Sequence, residues 1–185
     1  MAEPHIKGVS FIHLADFLRQ EFGEAGFSSV AARLGPGAAK TLSSPFGHEW
    51  YPLTHIVEIE RALAEVHYGG DYKQIERFGA YDGKRQVGTV YRFMLKLAEP
   101  AFLLKLSRKL WRSYMDCGEV AVDNTGPRSA IARISGYDPL HVVHCHDGVG
   151  SFRASLEVCG AKDPKVEHVE CRLSGKPACV FRLAW

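Results

Sequence analysis

Four residues in the last quarter of the chain carry the side chains best suited to hold a metal ion: Cys145, His168, Cys171 and Cys179. Cys171 and Cys179 share strand parity. A turn centred on Gly175 makes them face each other across a hairpin, with both side chains on one face. Cys145 lies on the inner stripe of the preceding helical stretch. Zinc takes four sulfur or nitrogen ligands in a tetrahedron. With His168 as the fourth ligand, a structural zinc would tie that helix to the final hairpin. The competing reading is that buried cysteines act as small apolar residues. The chain has no CxxC pair, and His168 has the wrong parity to join Cys171 unless the strand starts after it.

A second group is His141-Val-Val-His144-Cys145-His146-Asp147. On a helix, His141 and Cys145 lie one turn apart and share a face, while His144 and His146 point elsewhere. No more than two of these side chains meet one ion, so a polar helix start is the preferred reading. A third group is aromatic: Tyr68, Tyr72, Phe78, Tyr81, Tyr91, Phe93, Trp111 and Tyr114. Aromatic residues line ligand pockets as readily as they fill cores. The four taken as ligand-binding are Tyr91, Phe93, Trp111 and Tyr114. No GxSxG, HExxH, GxxxxGK[ST] or GxGxxG is present. Asp16, Glu21, Glu58, Glu60 and Glu65 fall on amphipathic helices and read as solvated, with no acid–base pair among them. The chain therefore does not read as an enzyme.

The elements that must position these groups follow from hydrophobic period. Phe11, Leu14, Phe17, Leu18 and Phe22 make one helical face, with Ser10 as N-cap and Gly23 and Gly26 at its end. A short helix is expected over Ser28 to Leu34. A long one after Trp50-Tyr51-Pro52 buries Ile56, Ile59, Leu63 and Val66, and Asp71 caps the next. Residues 71–97 continue as helix, with Gly79, Gly83 and Gly88 weakening the middle. Pro100 opens another helix that ends near Asp116. Val120 and Val122, then Ala130, Ala132 and Ile134, alternate about Asn124-Thr125-Gly126-Pro127 as a hairpin. Residues 139–159 return to helix. A second hairpin closes the chain, with Val169, Cys171 and Leu173 on one strand and Cys179, Phe181, Leu183 and Trp185 on the other. The order predicts an α+β fold, helices packed on one face of a small antiparallel sheet.

Composition sets the outer bounds. A chain of 185 residues with 46% apolar and 24% charged residues fits one domain with its own core. A net charge of +2 with dispersed basic residues argues against nucleic acid. Lys105, Arg108, Lys109 and Arg112 read as a solvated helix face. No stretch is long and apolar enough to span a bilayer, and the N-terminal residues lack a signal-peptide core. A cytoplasmic setting is expected, where the five cysteines stay reduced.

The closing residues Val169-Glu-Cys-Arg-Leu-Ser-Gly-Lys-Pro-Ala-Cys-Val-Phe-Arg-Leu-Ala-Trp185 carry a resemblance. They look like the Cys-x3-Gly-x3-Cys-x-Phe hairpin of the superfamily that unites haem/NO-binding domains, 4-vinyl-reductase domains and TRAPP subunits. With Trp50-Tyr-Pro52, Gly70-Asp71, Pro100, Leu110–Gly118, Gly148 and Leu156–Gly160, the chain resembles a myxobacterial paralogous family within it, over residues 8–185. The resemblance implies a single 4-vinyl-reductase-like domain that is often dimeric. It also implies a zinc site with one upstream Cys, an acidic residue three before the second Cys, and a third Cys eight after it. Cys145, Cys171 and Cys179 fit that pattern, and His168 stands at the acidic position. The proximal His and Tyr-x-Ser-x-Arg signature of haem–NO sensors is missing, so haem is not expected. The function implied is non-catalytic sensing of a small hydrophobic or aromatic ligand through a protein partner. The alternative is a TRAPP-like interaction module without a ligand.

Overall fold

The fold is that of a computed structural model. It describes residues 3–95 and 100–185, with residues 88–95 and 100–105 given by their backbone alone. Strand β1 (His5–Lys7) leads directly into helix α1 (Gly8–Ala31) and pairs antiparallel with β2 (Trp50–Pro52). Between them lies α2 (Pro36–Ser43). Helix α3 (Leu53–His67) follows β2, then a 3-10 turn (Tyr72–Ile75) capped by the Asp71 carboxylate, which accepts from the Lys73 N–H. Helices α4 (Glu76–Leu95) and α5 (Pro100–Tyr114) come next. A four-stranded antiparallel sheet is built from β3 (Glu119–Gly126), β4 (Ser129–Ser135), β5 (Lys165–Glu170) and β6 (Ala178–Ala184), in the order β3-β4-β6-β5. Helix α6 (Val142–Val158) is inserted between the two hairpins. The α+β arrangement expected from the change of hydrophobic period is therefore observed.

Local chemistry explains most of these boundaries. Phe11, Leu14, Phe17 and Leu18 are buried on α1, as their spacing requires. The separate helix expected over Ser28 to Leu34 is instead the second half of α1, which bends at Gly23, where φ is 69°. Ser10 does not cap α1. The helix starts at Gly8, and Ser10 is fully buried within it, accepting a hydrogen bond from Gln86. The final hairpin also departs from expectation. β5 stops at Glu170, and residues Arg172–Ser174 form a 3-10 turn, so Leu173 is not a strand residue.

The sheet buries one face. Val120, Ala130, Ala132, Ile134, Cys179, Phe181 and Leu183 point into the same core as α1 and α3. Helices α4 and α6 cross at unusually short range. A Cβ on Gly150 of α6 would stand 2.1 Å from the Glu76 carbonyl oxygen, and one on Gly79 of α4 would stand 2.1 Å from the Asp147 carbonyl oxygen. Only a residue without a side chain allows this approach. Gly150→Ala is expected to force the two helices apart and cost about 1–3 kcal/mol. Thermal melts should then fall by several degrees, at about 2–4 °C per kcal/mol for a chain of this size. An unchanged melting temperature would mean that the helices separate freely.

Candidate functional site

The structure brings Cys145, His168, Cys171 and Cys179 together: one donor atom of each lies within 4.8 Å of all the others. Cys145 comes from the first turns of α6, His168 from β5, Cys171 from the residue after that strand and Cys179 from β6. The parity objection to His168 is removed by a register shift. His168 pairs with Phe181 and Glu170 with Val180, with an irregularity between them that carries Cys171 round to the side of His168. The Cys145 and Cys171 sulfurs stand 3.8 Å apart. Tetrahedral zinc with bonds of 2.3 Å places its sulfurs roughly 3.8 Å apart.

The cluster is polar chemistry in a nearly dry place. Cys145 and Cys179 are buried, and the Nε2 of His168 is buried without a hydrogen-bond partner among the described residues. The hydrogen bond from Cys145 and the facing His168 bring the Cys179 thiol down to about 4, against the opposing effect of burial. The Arg172 backbone N–H also donates to the Cys179 sulfur. Cys145 is driven upward by its hydrogen bond to Cys179 and by burial. A cation held by these donors would draw the protons from the thiols.

Beside α6 lies a cavity of about 170 Å³ between α4, α5, α6 and the sheet. Ile6, Leu110, Val120, Phe152, Leu156 and Phe181 give it apolar walls. Trp111 and Tyr114, two of the four expected ligand-binding aromatics, line it. Trp111 is fixed by its indole N–H, which donates to the Cys117 carbonyl at 2.8 Å, and by edge-on contact with Tyr137. The side chains of Tyr91 and Phe93 lie outside the described residues. Phe78, by contrast, is fully buried core.

Two carboxyl groups, Asp82 and Asp147, line this cavity and a third, Glu60, backs its His144; sequence reasoning placed none of them there. Glu60, expected to be solvated, is 0% exposed and meets the Nδ1 of His144 through both oxygens, at 3.1 and 3.2 Å. His144 is itself only 8% exposed and lines the cavity, rather than pointing away. Burial would lower its pKa, but the charge and hydrogen bond of Glu60 raise it to about 9. Asp82 accepts from His13 at 2.6 Å and from Gln86 at 2.6 Å. Asp147 lines the cavity, with Oδ2 3.7 Å from His144 and Oδ1 buried without a partner among the described residues. Position was the available signal for Glu60: it sits four after Ile56 and three before Leu63, on the apolar stripe itself. His141 is neither ligand nor lining. It caps α6, its Nδ1 accepting from the Val143 N–H.

Residues 76–185, more than half of the chain, match the family described as Protein of unknown function (DUF2378). The chain belongs to that family. None of the curated proteins compared matches it. Among solved structures, an H-NOX protein from S. oneidensis in the Fe(II)NO ligation state superposes with a TM-score of 0.75 at 14% identity, covering 96% of this chain and 97% of that one. An Fe(II) unliganded H-NOX protein from K. algicida gives a TM-score of 0.70 at 12% identity, covering 96% and 95%. A third structure, described as "Modulating Heme Redox Potential Through Protein-Induced Porphyrin Distortion", gives 0.67 at 11% identity, covering 97% and 99%. At these identities the likeness is one of fold.

These matches correct the kinship expected from the closing hairpin. They point to DUF2378 and to the H-NOX fold, not to 4-vinyl-reductase domains or TRAPP subunits. The hairpin pattern misled because its cysteines and glycine report a local turn, which does not fix kinship. A ligand-free TRAPP-type module has no counterpart here. The expectation that set haem aside is likewise corrected, since the solved structures sharing the fold are described by Fe(II) ligation states and by haem. Among the described residues, no helix is long and apolar enough to cross a membrane.

Proposed function

We propose that this chain is a non-catalytic small-molecule sensing domain whose ligand sits in the cavity beside α6 and whose state is read by a protein partner. The observation that carries this reading is a cavity placed inside an H-NOX-like fold, with apolar walls and a buried network of Glu60, His144, Asp82 and His13. Such walls supply burial, and the few polar groups supply orientation. Haem is the group this fold brings into question. The donor chemistry at His144 would suit it, with Nδ1 engaged by Glu60 and the carboxylate behind it fixing the ring, but the described walls enclose about 170 Å³, too little for the macrocycle.

The test is a thermal-shift panel of haem, small amines, alcohols and acids on the full chain, with absorbance spectra for the haem arm. Ser155→Leu fills the cavity from α6. The wild type is expected to gain several degrees with its ligand, and the variant to gain none. A panel in which every compound shifts both proteins equally would end the cavity reading.

A second observation supports a metal centre. Four donors from separate elements converge, and the His168 Nε2 is buried without a partner. In this reading Cys145, His168, Cys171 and Cys179 hold one four-coordinate metal ion that pins the final hairpin to α6. The reading also places the protein in a reducing cytoplasm, where its thiols persist, and leaves room for a homodimer as the signalling unit.

A further inference from the structure

We propose that the cavity takes a small organic cation, with its ammonium head against Asp147 and its apolar body against Trp111, Tyr137, Phe152 and Phe181. This rests on the cavity being the ligand site and names the class of ligand.

The argument is one of an unmatched buried acceptor. Glu60 spends both oxygens on His144, and Asp82 spends both on His13 and Gln86. Asp147 has no such match. Its Oδ2 is 3.7 Å from a His144 nitrogen already given to Glu60, and its Oδ1 is buried with no partner among the described residues. No lysine or arginine appears among the described lining residues. A buried carboxyl without a donor is costly, and an N–H-bearing cation removes that cost. An anion would instead meet Asp82 and Asp147, while the His144 imidazolium on the wall is already paired with Glu60. At low local dielectric such repulsion decides selectivity.

The remaining walls suit the same ligand. Aromatic faces attract an ammonium and its adjoining carbons, and Trp111 and Tyr137 stand edge to face at 5.4 Å. Ser155 gives its hydroxyl hydrogen to the Ser151 carbonyl, so its oxygen is left to accept from a ligand N–H. A volume of about 170 Å³ limits the ligand to a short carbon skeleton.

The experiment compares three compounds of one skeleton by calorimetry on the full chain: isopentylamine, 3-methylbutanol and isovalerate. The amine is expected to bind at least tenfold more tightly than the alcohol, and isovalerate is expected to show no binding. Asp147→Asn, checked for folding by near-ultraviolet circular dichroism, should bring the amine down to the level of the alcohol. Ser155→Leu should abolish binding of both and serves if the Asp147 variant does not fold. Equal binding of amine and alcohol by the wild type overturns the proposal, as does tighter binding of isovalerate. Haem uptake, or a response to Mn²⁺ at Glu60, His144 and Asp147, with no amine binding also overturns it while leaving the cavity reading intact. If no compound of any class binds, both fail together.

Discussion

Treated with a strong chelator, or carrying Cys179→Ser, the protein is expected to lose one metal ion per chain and about 4 kcal/mol of stability. The figure follows from mass action: an ion present at a thousandfold excess over its dissociation constant stabilises the folded state by about 4.1 kcal/mol. For a chain of this size that is a fall in melting temperature of roughly 8–16 °C. The loss should concentrate in the C-terminal ribbon. Cys145 anchors α6, while His168, Cys171 and Cys179 hold the two strands and the turn that follow it. β4, which pairs with β6 along its whole length, and the pairing of β5 with β6 would still hold the ribbon in register. Metal affinity should fall as pH falls, because thiols must shed protons to ligate. Elemental analysis of untagged protein together with chelator melts checks all of this. A preparation that is metal-free and melts at the same temperature with and without chelator would rule out the centre.

That cluster was legible before the fold was known because its signals are local. Strand parity relates Cys171 to Cys179, and helical period puts Cys145 on an inner face. His168 was only half legible, since the register irregularity that turns Cys171 toward it leaves no trace in residue types. The polar wall of the cavity was illegible for a different reason. Glu60 looks like any other glutamate on an amphipathic helix, and what buries it is a histidine 84 positions away on α6. Gly79 and Gly83 were read as defects in a helix. Their purpose is a tertiary one, admitting the α6 backbone against α4. The aromatic-rich middle was ambiguous for a similar reason: residue type marks Phe78 and Trp111 alike, and packing sends the first into the core and the second to the cavity. Fold class survived these errors because it depends on period, which many residues report at once.

Glu60→Ala is expected to cost about 3–5 kcal/mol, because removing one member of a buried charge pair leaves the other uncompensated. His144 would then face the cavity with Asp147 3.7 Å away. Glu60→Gln keeps an acceptor for the imidazole and should cost less. The pair also sets a pH dependence with a definite sign. His144 titrates near 6.5 unfolded and is raised to about 9 in the fold, burial being outweighed by Glu60. A raised basic group holds its proton more tightly when folded, so its contribution is complete below about pH 6.5 and is lost as pH climbs through about 9. Urea midpoints for the wild type should therefore decline across that window, and those for Glu60→Ala should be lower and nearly flat. A wild-type profile as flat as that of the variant would mean that the two groups do not share a proton-linked bond. The cavity would then have lost the feature that orients its histidine.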